Sequence, residues 1–129
     1  MMENKTFSTT IKAMLFLAFL LGTMKVNAQN DDYYIRQAKS YQSDADYYLK
    51  QAKSNDREVE YYTREAERHF SDADYYMKQK KYDQAKSYFS KAQYSLDRAK
   101  TYATRAKDAR ENAIDYMKKA ERALQNVSH

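Results

Sequence analysis

The chain has 129 residues, enough for one domain, and contains no cysteine, no proline and a single glycine. The missing cysteines exclude disulfides, thiol catalysis and cysteine metal sites, and the scarcity of glycine and proline argues against a loop-rich or β-rich fold. The formal net charge of +5 hides an asymmetry, because residues 29–79 carry eight basic and eleven acidic side chains, whereas residues 80–129 carry twelve and six. Oppositely charged halves are expected to face each other, so nucleic acid is not an expected partner.

The N-terminal residues have the pattern of a secretory signal peptide. Two lysines precede the short apolar run 13–21, and small residues lead to a cleavage site at Ala28-Gln29 that resembles those of exported bacterial proteins. The alternative is an uncleaved membrane anchor, but the run is shorter than the ~20 apolar residues that a spanning helix needs. We therefore predict a signal peptide at 1–28, a mature domain at 29–129 that is periplasmic or secreted, and no membrane contact after cleavage.

A seven-residue repeat begins directly after this segment. Small apolar residues recur at heptad position a, and mostly tyrosines occupy position d, with spacings of four and three residues that are typical of a coiled-coil helix. Position a holds Ala38, Ala45, Ala52, Val59, Ala66 and Ala73, and position d holds Tyr34, Tyr41, Tyr48, Asn55, Tyr62, His69 and Tyr76.

A second heptad frame follows and is out of register with the first. Its a positions are Ala85, Ala92, Ala99, Ala106, Ala113, Ala120 and Val127, and its d positions are Tyr88, Ser95, Tyr102, Ala109, Tyr116 and Ala123. The slip does not match the insertions that a continuous coiled coil absorbs, so a turn is predicted near Lys80, with Asp83 as the N-cap of the second helix. The expected fold is all-α, a long antiparallel two-helix coiled-coil hairpin with helices at about 31–78 and 83–126. Its dimerisation into a four-helix bundle is a further option.

One register of this hairpin satisfies both size and charge. Placing Tyr76 opposite Ala85 sets large residues against small ones along most of the seam, as interdigitated packing requires. The same register brings acidic g positions of the first helix level with basic g positions of the second, for example Glu65 with Arg98. We therefore predict ion pairs between the helices along this edge.

Apolar side chains also occupy position e, which a two-helix seam does not need. Such a stripe is typical of an interaction surface. Its occupant is predicted to be a second hairpin or another envelope protein, with an amphipathic membrane contact as the third alternative. The candidate interaction face consists of Ile35, Leu49, Phe70, Met77, Phe89, Leu96, Met117 and Leu124.

A second candidate surface is a ladder of tyrosines at position c, made of Tyr33, Tyr47, Tyr61 and Tyr75. An exposed ladder could stack on sugars, peptides or bases. The alternative is that the rings lie along neighbouring Lys and Arg stems, since amphipathic side chains cover one another on helix surfaces. His69, at position d, is either a pH-sensitive seam residue or a tolerated polar layer.

The sequence offers no constellation for chemistry. Two histidines, one of them terminal, cannot build a metal site at this spacing, and no nucleophile, base and orienting group can be assembled. We therefore predict no catalytic, metal-binding or cofactor-binding residues, and no cofactor.

Residues 76–92 carry a resemblance to a known family. Ala73, Tyr76, Tyr82, Ala85, Phe89 and Ala92 fall where the tetratricopeptide repeat places its small and aromatic packing residues. The likeness covers one repeat, residues 66–96, and departs from the family at the turn glycine, where Lys80 stands, and at the closing proline, where Asp97 stands. The resemblance implies a helix–turn–helix centred near Lys80 and a protein-interaction role, but no repeat array.

Together these patterns predict an exported, non-enzymatic helical scaffold or protein–protein interaction element of the bacterial cell envelope. The alternative is a tetratricopeptide-like module that binds a peptide or a glycan through the exposed tyrosine or apolar face.

Overall fold

A computed structural model describes residues 29–127 and contains two long helices packed against each other. Helix α1 spans Gln29–Lys78 and helix α2 spans Tyr82–Gln125, and no strand occurs in residues 29–127. The predicted all-α helical hairpin is confirmed, with bounds that differ from the predicted ones by no more than two residues. The predicted signal peptide lies outside the described residues.

The helix ends carry charges that suit the helix dipole. Asp31 and Asp32 lie in the first turn of α1, and Lys78 lies in its last turn. Helix α2 likewise has Asp83 in its first turn and Arg122 in its last. Acidic residues near an N-terminus and basic residues near a C-terminus each stabilise a helix by about 0.3–1 kcal/mol.

The turn between the helices is a Schellman motif without glycine. The amide of Lys81 donates to the Tyr76 carbonyl at 2.9 Å, and the amide of Lys80 donates to the Met77 carbonyl at 3.0 Å. Lys80 has a φ of 59°, the left-handed conformation that glycine most often supplies at this position. These two backbone hydrogen bonds end α1. They do so at Lys80, although the left-handed conformation is mildly unfavourable for a residue that has a Cβ atom.

The predicted N-cap of α2 is wrong by two residues. Because α2 begins at Tyr82, Asp83 lies inside the first turn. The Lys81 carbonyl accepts the first hydrogen bond, from the Ala85 amide at 3.0 Å, and Lys81 is the capping residue. Asp83 can still favour the helix through its charge near the N-terminus.

The chain divides into two compact units. Unit 1 contains the described residues 29–50 and 109–127, and unit 2 contains residues 51–108. Each unit therefore holds a segment of α1 and a segment of α2.

Alanines at position a form the buried centre of each unit. In unit 2, Ala73, Ala85 and Ala92 are completely buried, and in unit 1 the same is true of Ala45 and Ala113. Because an alanine extends only one carbon from the backbone, alanine at most of the a positions lets two helices approach near the short end of the usual 8–10 Å range.

Tyrosine rings at position d stack on each other across the seam. In unit 2, Tyr76 stacks on Tyr88 with ring centroids 5.4 Å apart, and Tyr62 stacks on Tyr102 at 5.7 Å. In unit 1, Tyr48 stacks on Tyr116 at 5.6 Å. These partners lie one turn from the alanines predicted opposite each tyrosine, so the rings meet each other as well as the alanine layers. Stacked aromatic pairs contribute about 0.5–1.5 kcal/mol beyond their buried area.

Candidate interaction surfaces

Basic side chains cover the stacked tyrosines of unit 2. The guanidinium carbon of Arg98 lies 5.5 Å from the ring centroids of both Tyr62 and Tyr102, and Arg105 lies 5.1 Å from the Tyr102 ring. Lys91 places its Nζ 4.5 Å from the centroid of Tyr88. These are cation–π contacts, which stabilise exposed sites by about 0.5–1 kcal/mol.

The predicted ion pair between Glu65 and Arg98 is not formed. Glu65 instead accepts from Arg68 of its own helix at 2.6 Å, with the Nε2 of His69 at 3.8 Å. Arg98 donates to the Tyr102 hydroxyl at 3.4 Å. The flat guanidinium of Arg98 lies over the aromatic rings. Arg98 therefore contacts the tyrosines and does not pair with Glu65 across the seam.

The environment of Arg98 fixes its charge. Hydrogen bonding to Tyr62, followed by the charge interactions of Tyr62 and Tyr102, raises the pKa of Arg98 above its ordinary value. An arginine is already protonated throughout the physiological range. The cation of this stack is therefore permanent and has no role in a pH response.

The four tyrosines of the predicted ladder are exposed. Tyr33, Tyr47, Tyr61 and Tyr75 each keep more than half of their surface accessible. Each ring packs edge-on against the position d tyrosine that directly follows it in the chain, at centroid distances of 5.1–5.3 Å. The cations described above lie over the seam tyrosines Tyr62, Tyr88 and Tyr102 and not over these four rings. Cation–π contacts do not report where the Lys and Arg stems lie, so their packing along the ladder stays a prediction.

A shallow depression of about 450 Å³ lies on the tyrosine side of unit 2. Exposed Tyr61 and Tyr94 border it, and Glu65, His69 and Lys91 also line it. The Nδ1 of His69 is buried and makes no hydrogen bond. The sequence reasoning did not single out Tyr94, although its position c in the frame of α2 was a usable signal.

The predicted apolar face is exposed in unit 2. Phe70, Met77, Phe89 and Leu96 keep between 38% and 44% of their surface accessible. Phe70 and Phe89 meet edge-to-face with centroids 6.2 Å apart, so the two helices contribute to one continuous strip. We call these four side chains the apolar row. They are large hydrophobic side chains in contact with water, the usual mark of an interaction surface.

The remaining members of the predicted face lie in unit 1 and are buried in the full-length chain. Ile35, Leu49, Met117 and Leu124 are each accessible over less than a tenth of their surface. They belong to one hydrophobic cluster with the seam alanines of unit 1. The structure therefore brings together only the unit 2 half of the predicted face as an accessible surface.

Unit 1 also buries two charged side chains that the sequence reasoning missed. Asp31 and Arg110 are almost completely buried, and both have interaction partners. Arg110 falls at position e of α2, where the other members are apolar, and that break in the pattern was the available signal. A buried charge with partners fixes local geometry more than it adds stability.

Two absences concern residues 29–127. Within this range no group of three or more histidine and acidic side chains is placed to hold a metal ion. Neither α1 nor α2 contains a stretch long and apolar enough to span a bilayer.

Comparison with known proteins gives no relative. The chain matches no family model, and no curated protein and no solved structure is significantly similar to it. Function must therefore be argued from the surfaces described above.

Proposed function

We propose that the protein is an exported, non-enzymatic helical element of the bacterial cell envelope that binds another protein through the apolar row of unit 2. The observation that carries the proposal is the exposure of Phe70, Met77, Phe89 and Leu96 beside a seam whose alanines are fully buried. More than a third of the surface of each side chain stays outside the packing of the hairpin. Their burial against a partner would remove apolar surface from water, at about 25 cal/mol per Å².

The proposed location rests on the N-terminal sequence. Lysines, a short apolar run and a small-residue cleavage site precede Gln29, in the order found in secretory signal peptides. Intact-mass measurement of the protein recovered from the periplasm or medium tests this, and a chain beginning at Gln29 is expected. Recovery of the uncleaved chain in the cytoplasm would contradict it.

A second candidate function is peptide or glycan binding at the depression of unit 2. It is favoured by the exposed rings of Tyr61 and Tyr94, which border the depression. Aromatic faces stack on sugars and on peptide side chains. The depression is shallow, so this candidate ranks second.

Two double variants separate the candidates. Phe70→Ser with Phe89→Ser removes the aromatic centre of the apolar row, and Tyr61→Ser with Tyr94→Ser removes the exposed rings of the depression. We expect the first variant to lose protein–protein association, measured by sedimentation and by cross-linking in envelope fractions, and the second to keep it.

The opposite result would favour the second candidate. Association that survives in both variants would exclude both surfaces. Circular dichroism of each variant controls for the helical fold.

A further inference from the structure

The apolar row of unit 2 lies between two rows of opposite charge. Position b of a heptad lies next to position e on the side away from the seam. In α1 this position holds Glu60, Glu67 and Asp74, and in α2 it holds Lys86 and Lys100, all of them exposed. We call these side chains the acidic row and the basic row. One long edge of the apolar row is therefore negative and the other is positive.

The two charged rows do not neutralise each other within one chain, because the apolar row separates them. Glu60 instead pairs with Arg64, and Asp74 pairs with Lys78 at 2.9 Å, both within α1. These intrahelical pairs are exposed at both partners. Such pairs are weak and can rearrange when a stronger partner approaches.

The levels of the two rows follow from the contact between Phe70 and Phe89. The helices run in opposite directions, so a residue four positions after Phe70 lies level with one four positions before Phe89. Asp74 therefore lies nearly level with Lys86, which is three positions before Phe89. Glu60 lies ten positions before Phe70 and Lys100 lies eleven positions after Phe89, so these two residues are also nearly level. The acidic and basic rows match in position along the unit.

We propose that the apolar row binds the same row of a second copy of this chain, with the two-fold axis running along the helices. This inference rests on the proposed function and names its partner. A two-fold axis in that direction places α1 of one copy over α2 of the other. Asp74 then faces Lys86 of the second copy, Glu60 faces Lys100 of the second copy, and each contact occurs twice.

The other face-to-face arrangement is disfavoured by the same charges. A two-fold axis across the helices lays α1 over α1, and it sets the acidic row against the acidic row of the second copy. The basic row likewise meets a basic row. Like charges side by side oppose association, whereas the axis along the helices pairs opposite charges. The charge pattern thus selects one arrangement of four antiparallel helices.

The charge match does not extend over the whole of unit 2. Lys53 and Lys107 occupy the same heptad position further from the turn, and at that level two lysines would face each other. Glu67 faces the uncharged Gln93. The interface therefore centres on Phe70 and Phe89, and like charges oppose it towards Lys53.

The size of the interface predicts a reversible dimer. Exposed apolar patches on a small domain measure a few hundred Å², whereas a stable interface buries about 800 Å² on each partner. The dimer of unit 2 surfaces is therefore expected to have a dissociation constant in the micromolar range or weaker and to dissociate on dilution. Sedimentation equilibrium over a range of concentrations measures this constant directly.

Charge reversal tests the arrangement. Asp74→Lys places a lysine against Lys86 of the second copy, and Lys86→Asp places an aspartate against Asp74 of the second copy. Each variant alone is expected to dimerise roughly tenfold more weakly, since two exposed pairs become repulsive. An equimolar mixture of the two variants is expected to form the mixed dimer at about the native strength, because both contacts are then attractive.

The mixture isolates contacts between chains. Asp74 and Lys86 lie on opposite edges of the apolar row, so restoration cannot come from a contact within one chain. Asp108→Lys is the matched control, because Asp108 is exposed at position c of α2, away from the interface. It makes the same change of charge as Asp74→Lys, and its dimer is expected to keep the native strength.

Each other outcome overturns the inference in a recognisable way. Stronger association of Asp74→Lys would indicate the arrangement with α1 over α1. A protein that stays monomeric at all concentrations, yet still needs Phe70 and Phe89 to bind a different envelope protein, would reject the second copy and keep the proposed function. If Phe70→Ser with Phe89→Ser changes neither self-association nor binding to another protein, both are wrong.

Discussion

Units 1 and 2 share one heptad pattern but differ in the exposure of position e. Leu49 in unit 1 is 8% exposed, and Leu96 in unit 2 is 38% exposed, although both are leucines at the same heptad position. The seam alanines of the two units, in contrast, are equally buried. Position a is thus buried alike in both units, whereas the burial of position e differs between them.

The helix pair of unit 2 covers its apolar e-position side chains only in part. In unit 2 the two helices leave large e-position side chains about two-fifths accessible. The same residue types have different roles in the two units, forming part of a hydrophobic cluster in unit 1 and an accessible surface in unit 2. An apolar residue at position e is therefore a candidate for binding only where its exposure has been established.

The largest expected effect comes from placing a charge at the two leucines. Leu49→Asp should lower the free energy of unfolding of the full-length chain by about 3 kcal/mol or more, since it loses buried apolar contacts and buries an unpaired charge. Leu96→Asp, the matched change in unit 2, should cost less than about 1 kcal/mol, since water can solvate the carboxylate. Urea unfolding followed by circular dichroism measures both values. Equal costs would break the distinction between the units.

The seam should respond alike in both units. Ala92→Leu in unit 2 and Ala113→Leu in unit 1 each force a larger side chain into a completely buried layer. Both are expected to lower the free energy of unfolding by about 1–3 kcal/mol through overpacking. Ala103→Leu is the control at position e of unit 2, where the side chain is only partly buried and more volume can be accepted. Tolerance of leucine at Ala92 would contradict close packing of the helices.

The histidine at position d offers a smaller test. The ring centroid of His69 lies 6.2 Å from that of Tyr88, and its Nδ1 makes no hydrogen bond. Tyrosines, Tyr62 and Tyr76, occupy position d in the preceding and following heptads. His69→Tyr should raise the stability of the protein by about 0.5–1.5 kcal/mol by extending the aromatic stack and removing the unpaired nitrogen. Thermal unfolding measures the change. A loss of stability would show that the native contacts of His69 outweigh its unpaired nitrogen.

The smallest expected effect concerns pH and the last turn of α1. A hydrogen bond to Asp74, and then the charge of that carboxylate, raise the pKa of Lys78 above its ordinary value of 10.5. A pKa raised in the folded state means that the pair stabilises the fold below pH 10.5 and loses this contribution as the pH rises above it. Lys78→Gln should therefore lower the melting temperature slightly at neutral pH and no longer do so at strongly alkaline pH.

Lys39→Gln is the control for this measurement. Lys39 is also an exposed lysine of α1, but no acidic residue lies three or four positions before or after it. Its substitution should have the same small effect at both pH values. A pH dependence equal to that of Lys78→Gln would show that the effect does not come from the pair with Asp74.

Much of the hairpin could be predicted because its rules are local. The change of heptad frame near Lys80 indicated the turn, and the helix bounds differed by no more than two residues. The N-cap was misplaced because a Schellman motif formed at Lys80 without the glycine that normally marks it. Backbone hydrogen bonds made the stop, and they leave little trace in the side-chain pattern.

The contacts of long side chains were predicted less well than the helices. The spacing placed Glu65 and Arg98 on the same edge, but Arg98 stacks on tyrosines and Glu65 pairs with Arg68. Sequence spacing gives the side of a helix on which a charge lies. The choice among several partners within reach depends on differences of a few tenths of a kcal/mol between exposed contacts, which spacing cannot rank.

The amino-acid sequence by itself determined two helices, the position of the turn and the alanine and tyrosine rows that pair them, because heptad periodicity directly encodes the side of a helix that is buried. Only the tertiary structure decided which apolar e positions are covered, which tyrosines carry a cation and where the acids find their partners. Those outcomes depend on atoms from distant parts of the chain that compete for the same surface, and periodicity along one helix contains no record of that competition.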